Sequence, residues 1–139
     1  MSEHQRPLIR RGSEVEYETV DAADGLRKGV LVGAEHGAPN LAIRRFVLEP
    51  GGEVPKHTNE IEHEQYVLDG EYVVGVDEAP DSSRANGDAA SEDEEYVVTA
   101  GDSLYIPAGA VHWYRNEGDD PGAFICAVPT GDDEIRLLD

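Results

Sequence analysis

The sequence predicts an all-β protein, on three observations. Short apolar runs, alternating or rich in β-branched residues, recur along the chain. Clusters of Gly, Pro, Asp and Asn separate them at close intervals. Nowhere does an apolar stripe of helical period persist for about 11 residues or more. Turns this closely spaced favour a sandwich or a closed barrel.

Taken in order, the first expected strand is Glu14–Val20, at the end of an N-terminal arm covering residues 1–25. Gly29–Val32 follows and closes at the turn Gly37-Ala-Pro-Asn40. Leu41–Leu48 comes next and is expected to stop at Pro50-Gly-Gly52. His63–Leu68 alternates, and Asp69-Gly70 turns it into Tyr72–Val76. Residues 77–95 then carry eight acids, Asp77, Glu78, Asp81, Asp88, Glu92, Asp93, Glu94 and Glu95, against Arg84 alone. That composition reads as a solvated acidic hairpin insert; the sharper alternative, a calcium site, lacks the ordered alternation of a calcium loop. Glu95–Thr99, Ser103–Ile106, Val111–Asn116 and Gly122–Val128 complete the set, separated by Ala100-Gly101, Pro107-Ala-Gly109 and Gly118-Asp-Asp-Pro-Gly122.

Size and charge narrow the rest. A chain of 139 residues is expected to form a single domain with one core, spanning about residues 26–130. Its 11 Lys and Arg against 30 Asp and Glu give a formal charge of -19. Nucleic acid and anionic membranes are excluded as partners, because both demand a basic footprint that Arg10-Arg11 and Arg44-Arg45 do not supply. No apolar run approaches a membrane span, and the polar N-terminus lacks the apolar stretch of a secretory signal, so a cytoplasmic location is expected. With only Lys28 and Lys56 as lysines, the dispersed acidic surface points to a halophilic source, against the plainer reading of an acidic protein kept soluble by its charge. Cys126, the one cysteine, can form no internal disulfide, so any metal must be held by His, carboxylate or amide groups.

Two stretches carry the chemistry. The first runs from Pro50 to Gly70 and contains His57, Asn59 and His63; the second runs from Gly101 to Asn116 and contains His112. In an extended backbone His57 and Asn59 share a face and can reach one ion. His63, opening the next strand, and His112, from far along the chain, complete a set of three imidazoles and one amide.

The second stretch fits the cupin pattern G-x5-P-x-G-x2-H-x3-N at Gly101, Pro107, Gly109, His112 and Asn116. The first resembles the companion cupin motif G-x5-H-x-H-x3-E-x6-G at Gly51, His57 and Gly70, with Asn59 in place of the second His and His63 in place of the Glu. In the latter respect the chain resembles a branch of small single-domain cupins that includes manganese-binding four-histidine proteins of thermophilic bacteria. The resemblance implies a jelly-roll β-barrel, a homodimer, and one divalent ion held by His57, His63 and His112, with Asn59 occupying the fourth ligand position. Manganese or iron suits the amide oxygen best; zinc or nickel is the alternative.

Alternation and resemblance together turn Arg44, Val54, Gln65, Tyr114 and Phe124 towards the cavity as substrate-binding residues. Arg44 either orients an oxyanion or pairs with a glutamate at the rim. Asn59 either ligates or caps a turn through its side chain. Glu60, Glu62 and Glu64 read as a solvated acidic rim rather than a second metal position or a general base. Gly51, Gly70, Gly101 and Gly109 read as turn glycines with positive φ. Cys126, on one face with Phe124 and Val128, reads as a buried inert thiol, with an oxidisable thiol near the ion as the alternative. Trp113 is expected on the opposite face from His112.

Three imidazoles and an amide leave a divalent ion its full charge, which favours an anionic or enolate-forming oxygen ligand and disfavours pure electron transfer. The expected function is a metal-dependent dioxygenase, isomerase or lyase acting on a small oxygenated or anionic substrate. The alternative is a non-enzymatic cupin that binds or senses a small ligand. The residues identify no catalytic group independent of the ion.

Overall fold

The computed structural model of the chain describes residues 6–77, 93–130 and 135–137. Their strands are β1 (Tyr17–Thr19), β2 (Asp24–Val32), β3 (Leu41–Asn59), β4 (His63–Asp69), β5 (Glu71–Asp77), β6 (Asp93–Thr99), β7 (Ser103–Ile106), β8 (His112–Arg115), β9 (Gly122–Pro129) and β10 (Ile135–Leu137). Short 3-10 turns at Gly12–Glu14 and Ala34–His36 are the only helical elements among the described residues. The chain is all-β, as its periodicity predicts.

Every pairing is antiparallel, and β3 organises them. Its first half, Leu41 to Leu48, pairs with β9 on one side and β2 on the other. Its second half, Glu53 to Asn59, pairs with β8 and β10. Strands β4 and β7 extend the first wall beyond β9, and β5 and β6 extend the second beyond β8. One strand therefore serves both walls of a curled barrel, and the interior lies between them.

This continuity departs from the expected break at Pro50-Gly-Gly52. The β2 register jumps here from Leu26↔Leu48 to Asp24↔Glu53, so the extra β3 residues form a bulge while the strand continues. Gly51 makes the bend with φ at +80°. Asn116, the last residue of the second motif, clamps it: its side chain donates to Leu48 O at 3.0 Å and Asp120 O at 2.8 Å, and its main chain pairs with Gly51 and Gly52. That asparagine is a structural tie.

Other boundaries shift too. β2 begins at Asp24 rather than Gly29, because pairing with β3 holds the charged Asp24–Lys28 segment extended. The strand expected from Glu14 shortens to β1, and Arg10 ties the arm to β2 through Val30 O and Leu31 O at 2.9 and 2.7 Å. β10 was not legible in the sequence. Strands β5 and β6 pair as far as Asp77↔Asp93; the rest of the acidic insert, 78–92, and with it the calcium reading, lies outside the described residues.

The core packs Leu26, Leu48, Val54, Val67, Tyr72, Val74, Phe124 and Cys126 between the walls. On the outer face, Trp113 lies against Gly75, where an added Cβ would fall 1.9 Å from Trp113 Cε2. The Trp113 indole donates to Glu95 at 2.8 Å, Lys56 Nζ lies 4.7 Å from its ring centroid, and Arg115 pairs with Glu95. The side-chain hydrogen bonds from Arg115 and Trp113 hold the Glu95 carboxyl at a pKa of about 2.

Candidate metal centre

His57, Asn59, His63 and His112 are all buried, with relative exposures of 3%, 5%, 7% and 1%. Each owes its position to a strand end or an irregularity. His57 is three residues after Val54, an odd interval that would place the two side chains on opposite faces of a regular strand. The ladder to β8 resolves this: Val54 pairs with Tyr114 and His57 with His112, so three steps on β3 match two on β8. A bulge at Pro55-Lys56 absorbs the extra residue and turns His57 inward. Asn59 ends β3, His63 opens β4 and His112 opens β8, so four polar side chains meet at one end of the barrel.

Backbone contacts set which imidazole nitrogens face inward. His57 Nδ1 lies 2.7 Å from Pro55 O, and His112 Nδ1 lies 3.1 Å from Ala110 O. A carbonyl can only accept, so both rings carry the proton on Nδ1 and present Nε2 as a lone-pair donor. That is the second contact a metal-binding histidine ordinarily makes.

The ring centroids of His57 and His112 are 4.1 Å apart, and those of His63 and His112 are 6.2 Å apart. Imidazoles sharing an ion at about 2.1 Å have centroids roughly 4.6 to 5.3 Å apart. One pair is thus closer than a ligating pair and the other wider. Consistent with this, no group of three or more His, Cys, Asp or Glu among the described residues is arranged to hold an ion with the side chains as they stand. In donor type and burial the four residues nevertheless suit a divalent ion, with the amide oxygen favouring a harder one.

The nine candidate ligand and substrate-binding residues meet on one cavity of about 420 Å³: the four above with Arg44, Val54, Gln65, Tyr114 and Phe124. Gln65 Nε2 donates to Tyr114 OH at 2.8 Å, and Gln65 Oε1 is buried without a hydrogen bond. Arg44 is 5% exposed; its Nη2 lies 3.6 Å from Cys126 Sγ and its guanidinium carbon 5.3 Å from the Phe46 centroid. Glu60, Glu62 and Glu64 are exposed, as a solvated rim requires. The positive φ expected of Gly51, Gly70, Gly101 and Gly109 is found at all four. Deeper in the core, burial pushes the pKa of the Tyr72 hydroxyl well above its ordinary value.

Sequence reasoning missed Phe46 and Lys28 on the same wall. Phe46 had a signal, lying two residues after Arg44 on the same face. Lys28 had none, because its segment carries no strand pattern.

Comparison with known proteins agrees with this architecture. Over 90% of its length the chain is 24% identical to the 11S globulin seed storage protein Ana o 2.0101 of Anacardium occidentale, and it spans 29% of that protein's length. The polyketide cyclase RemF of Streptomyces resistomycificus superposes with a TM-score of 0.76 at 23% identity, over 97% of this chain and 87% of the other. An oxalate oxidase superposes with a TM-score of 0.66 at 25% identity, over 83% of this chain and 56% of the other. Residues 44–128 match the Cupin domain family, a span that contains the bend, the four candidate ligands and Arg44, Val54, Gln65, Tyr114 and Phe124. The chain belongs to the cupin family.

Proposed function

We propose that the chain binds one divalent metal ion through His57, His63 and His112, with Asn59 beside them, and acts as a metal-dependent enzyme on a small oxygenated or anionic substrate. The observation that carries this reading is the lone-pair direction at His57 and His112: both hold Nδ1–H against a backbone carbonyl and turn Nε2 inward, in a cavity that also holds His63 and Asn59. Manganese or iron is the preferred ion, with zinc or nickel as the alternatives. Bound there, the ion supplies Lewis-acid polarisation of a substrate oxygen and open positions for chelation.

The protein's own groups do the rest. Arg44 and Lys28 put positive charge on the wall of a molecule whose formal charge is -19, so an anion meets a favourable site inside a repelling shell. Gln65 holds the Tyr114 hydroxyl in place and keeps its carbonyl oxygen as an acceptor. Phe46, Phe124 and Val54 displace water around the bound molecule. The superposed oxalate oxidase is named for a small oxygenated acid, which suits this chemistry.

Elemental analysis of the purified protein and of His57→Ala and His112→Ala tests the ion. One equivalent in the parent and loss in both variants is expected; unchanged stoichiometry in the variants overturns the reading. Oxygen uptake and product formation with a panel of hydroxy acids and dicarbonyl compounds separate an enzyme from a ligand-binding module. A homodimer is proposed as well, supported by the exposed apolar residues Leu41, Ile43, Tyr66 and Tyr105 on the wall formed by β3, β4 and β7. A sedimentation coefficient of a monomer at micromolar concentration would refute it.

A further inference from the structure

The cavity wall is aromatic along its length. Tyr114 and Phe124 lie with centroids 5.6 Å apart and planes 18° from parallel, and Phe124 and Phe46 follow at 5.2 Å and 18°. One end of this row meets the histidines, with the His112 and His57 centroids 5.5 and 6.2 Å from Tyr114. The other end meets Arg44, whose guanidinium carbon sits 5.3 Å from the Phe46 centroid.

From this row we infer the substrate class: a planar aromatic carboxylate, its ring lying along Phe124 and Phe46 and its carboxylate held by Arg44. The inference rests on the reading of this cavity as the functional site and goes beyond it in naming the ligand. Two arguments carry it. The cavity, about 420 Å³, falls in the range of about 300–1,000 Å³ that accommodates drug-sized ligands. A two-carbon diacid of six heavy atoms would leave most of that volume to water. The row lines the cavity with aromatic surface, and aromatic side chains pack against a flat π-system in preference to an aliphatic chain of equal size. Arg44 adds a planar fork suited to a carboxylate, stacked on the last ring and sheathed from solvent.

The test is calorimetric titration of metal-free protein with 1-naphthoate, the neutral 1-naphthalenemethanol, cyclohexanecarboxylate and oxalate. Naphthoate is expected to bind at least tenfold more tightly than oxalate and about fivefold more tightly than cyclohexanecarboxylate. Arg44→Gln is expected to weaken naphthoate at least tenfold and to leave the alcohol within about twofold. Arg44→Lys, which keeps the buried charge and serves if Arg44→Gln fails to fold, is expected to narrow the preference for acid over alcohol. Equal affinity for oxalate and naphthoate overturns the inference, as does an Arg44 substitution that weakens acid and alcohol alike. Metal-free protein keeps the two readings apart: these titrations judge the ligand class, and the metal content of the histidine variants judges the ion.

Discussion

Gly75→Ala is expected to destabilise the barrel through one tryptophan. The methyl group would fall 1.9 Å from Trp113 Cε2, 2.1 Å from Nε1 and 2.2 Å from Cζ2, all atoms of one rigid ring. No side-chain torsion of alanine relieves such overlap, so the indole must leave its seat. Overpacking of this kind costs about 1–3 kcal/mol, and three simultaneous contacts with a bicyclic ring place it near the upper end. For a chain of this size that is a fall in Tm of roughly 10 °C. Displacement also breaks the indole hydrogen bond to Glu95 and the seat of Lys56 over the ring. Trp113 is the only tryptophan and is 8% exposed, so its emission should shift to the red on substitution, before any unfolding. Thermal melts followed by circular dichroism, with emission spectra at 20 °C, give both readouts. The same glycine change in a Trp113→Ala background should cost almost nothing, since the obstacle is gone, giving a coupling energy of about 3 kcal/mol. Wild-type stability and emission in Gly75→Ala, or an equal loss in both backgrounds, would refute the packing described.

Glu95 gives the acid side of the stability profile. Folded, its carboxyl stays ionised down to about pH 2, against an ordinary value of 4.5. Between those values the unfolded chain binds more protons, so stability contributed by Glu95 is full above pH 4.5 and is lost as pH falls towards 2. Urea midpoints at several pH values should show that slope in the parent and a flatter one in Glu95→Gln; identical slopes would contradict it. Asn59→His should raise zinc or nickel affinity at least tenfold, measured by competition with a chromophoric chelator, because imidazole is the better donor for both. Unchanged affinity would remove Asn59 from the ligand position. Unfolding midpoints should rise from low salt to molar potassium chloride, as screening relieves self-repulsion at a formal charge of -19; a flat profile would end the halophilic reading.

Alternation and resemblance together placed residues that line one cavity because they come in alternating sets: His63 with Gln65 on β4 and His112 with Tyr114 on β8. Alternation failed where long-range pairing overrides local pattern. Asp24–Lys28 carries no strand pattern, and only the ladder to β3 makes it a strand. Pro50-Gly-Gly52 reads as a chain reversal, yet flanking pairs on two walls carry the strand through it. One irregularity was implicit in the expectations themselves. Val54 and His57 were both turned inward although three residues apart, a combination that regular alternation forbids and a bulge permits. The number of residues between ligands is legible in a sequence; the spacing of their rings is set by how two walls meet, and no local pattern records it.

Because β3 belongs to both walls, it acts as an axle for the molecule. His57 and Asn59 are part of this axle and His112 is laddered to it opposite His57, whereas His63 follows the segment Glu60–Glu62 on a strand that pairs with β7 and β9 and not with β3. Rewriting that segment would act on one of the four groups without cutting the ladder between β3 and β8. Selection therefore has a cheap adjustment available: the arrangement of the four groups can be retuned from one surface segment, while the frame that supports them is inherited unchanged.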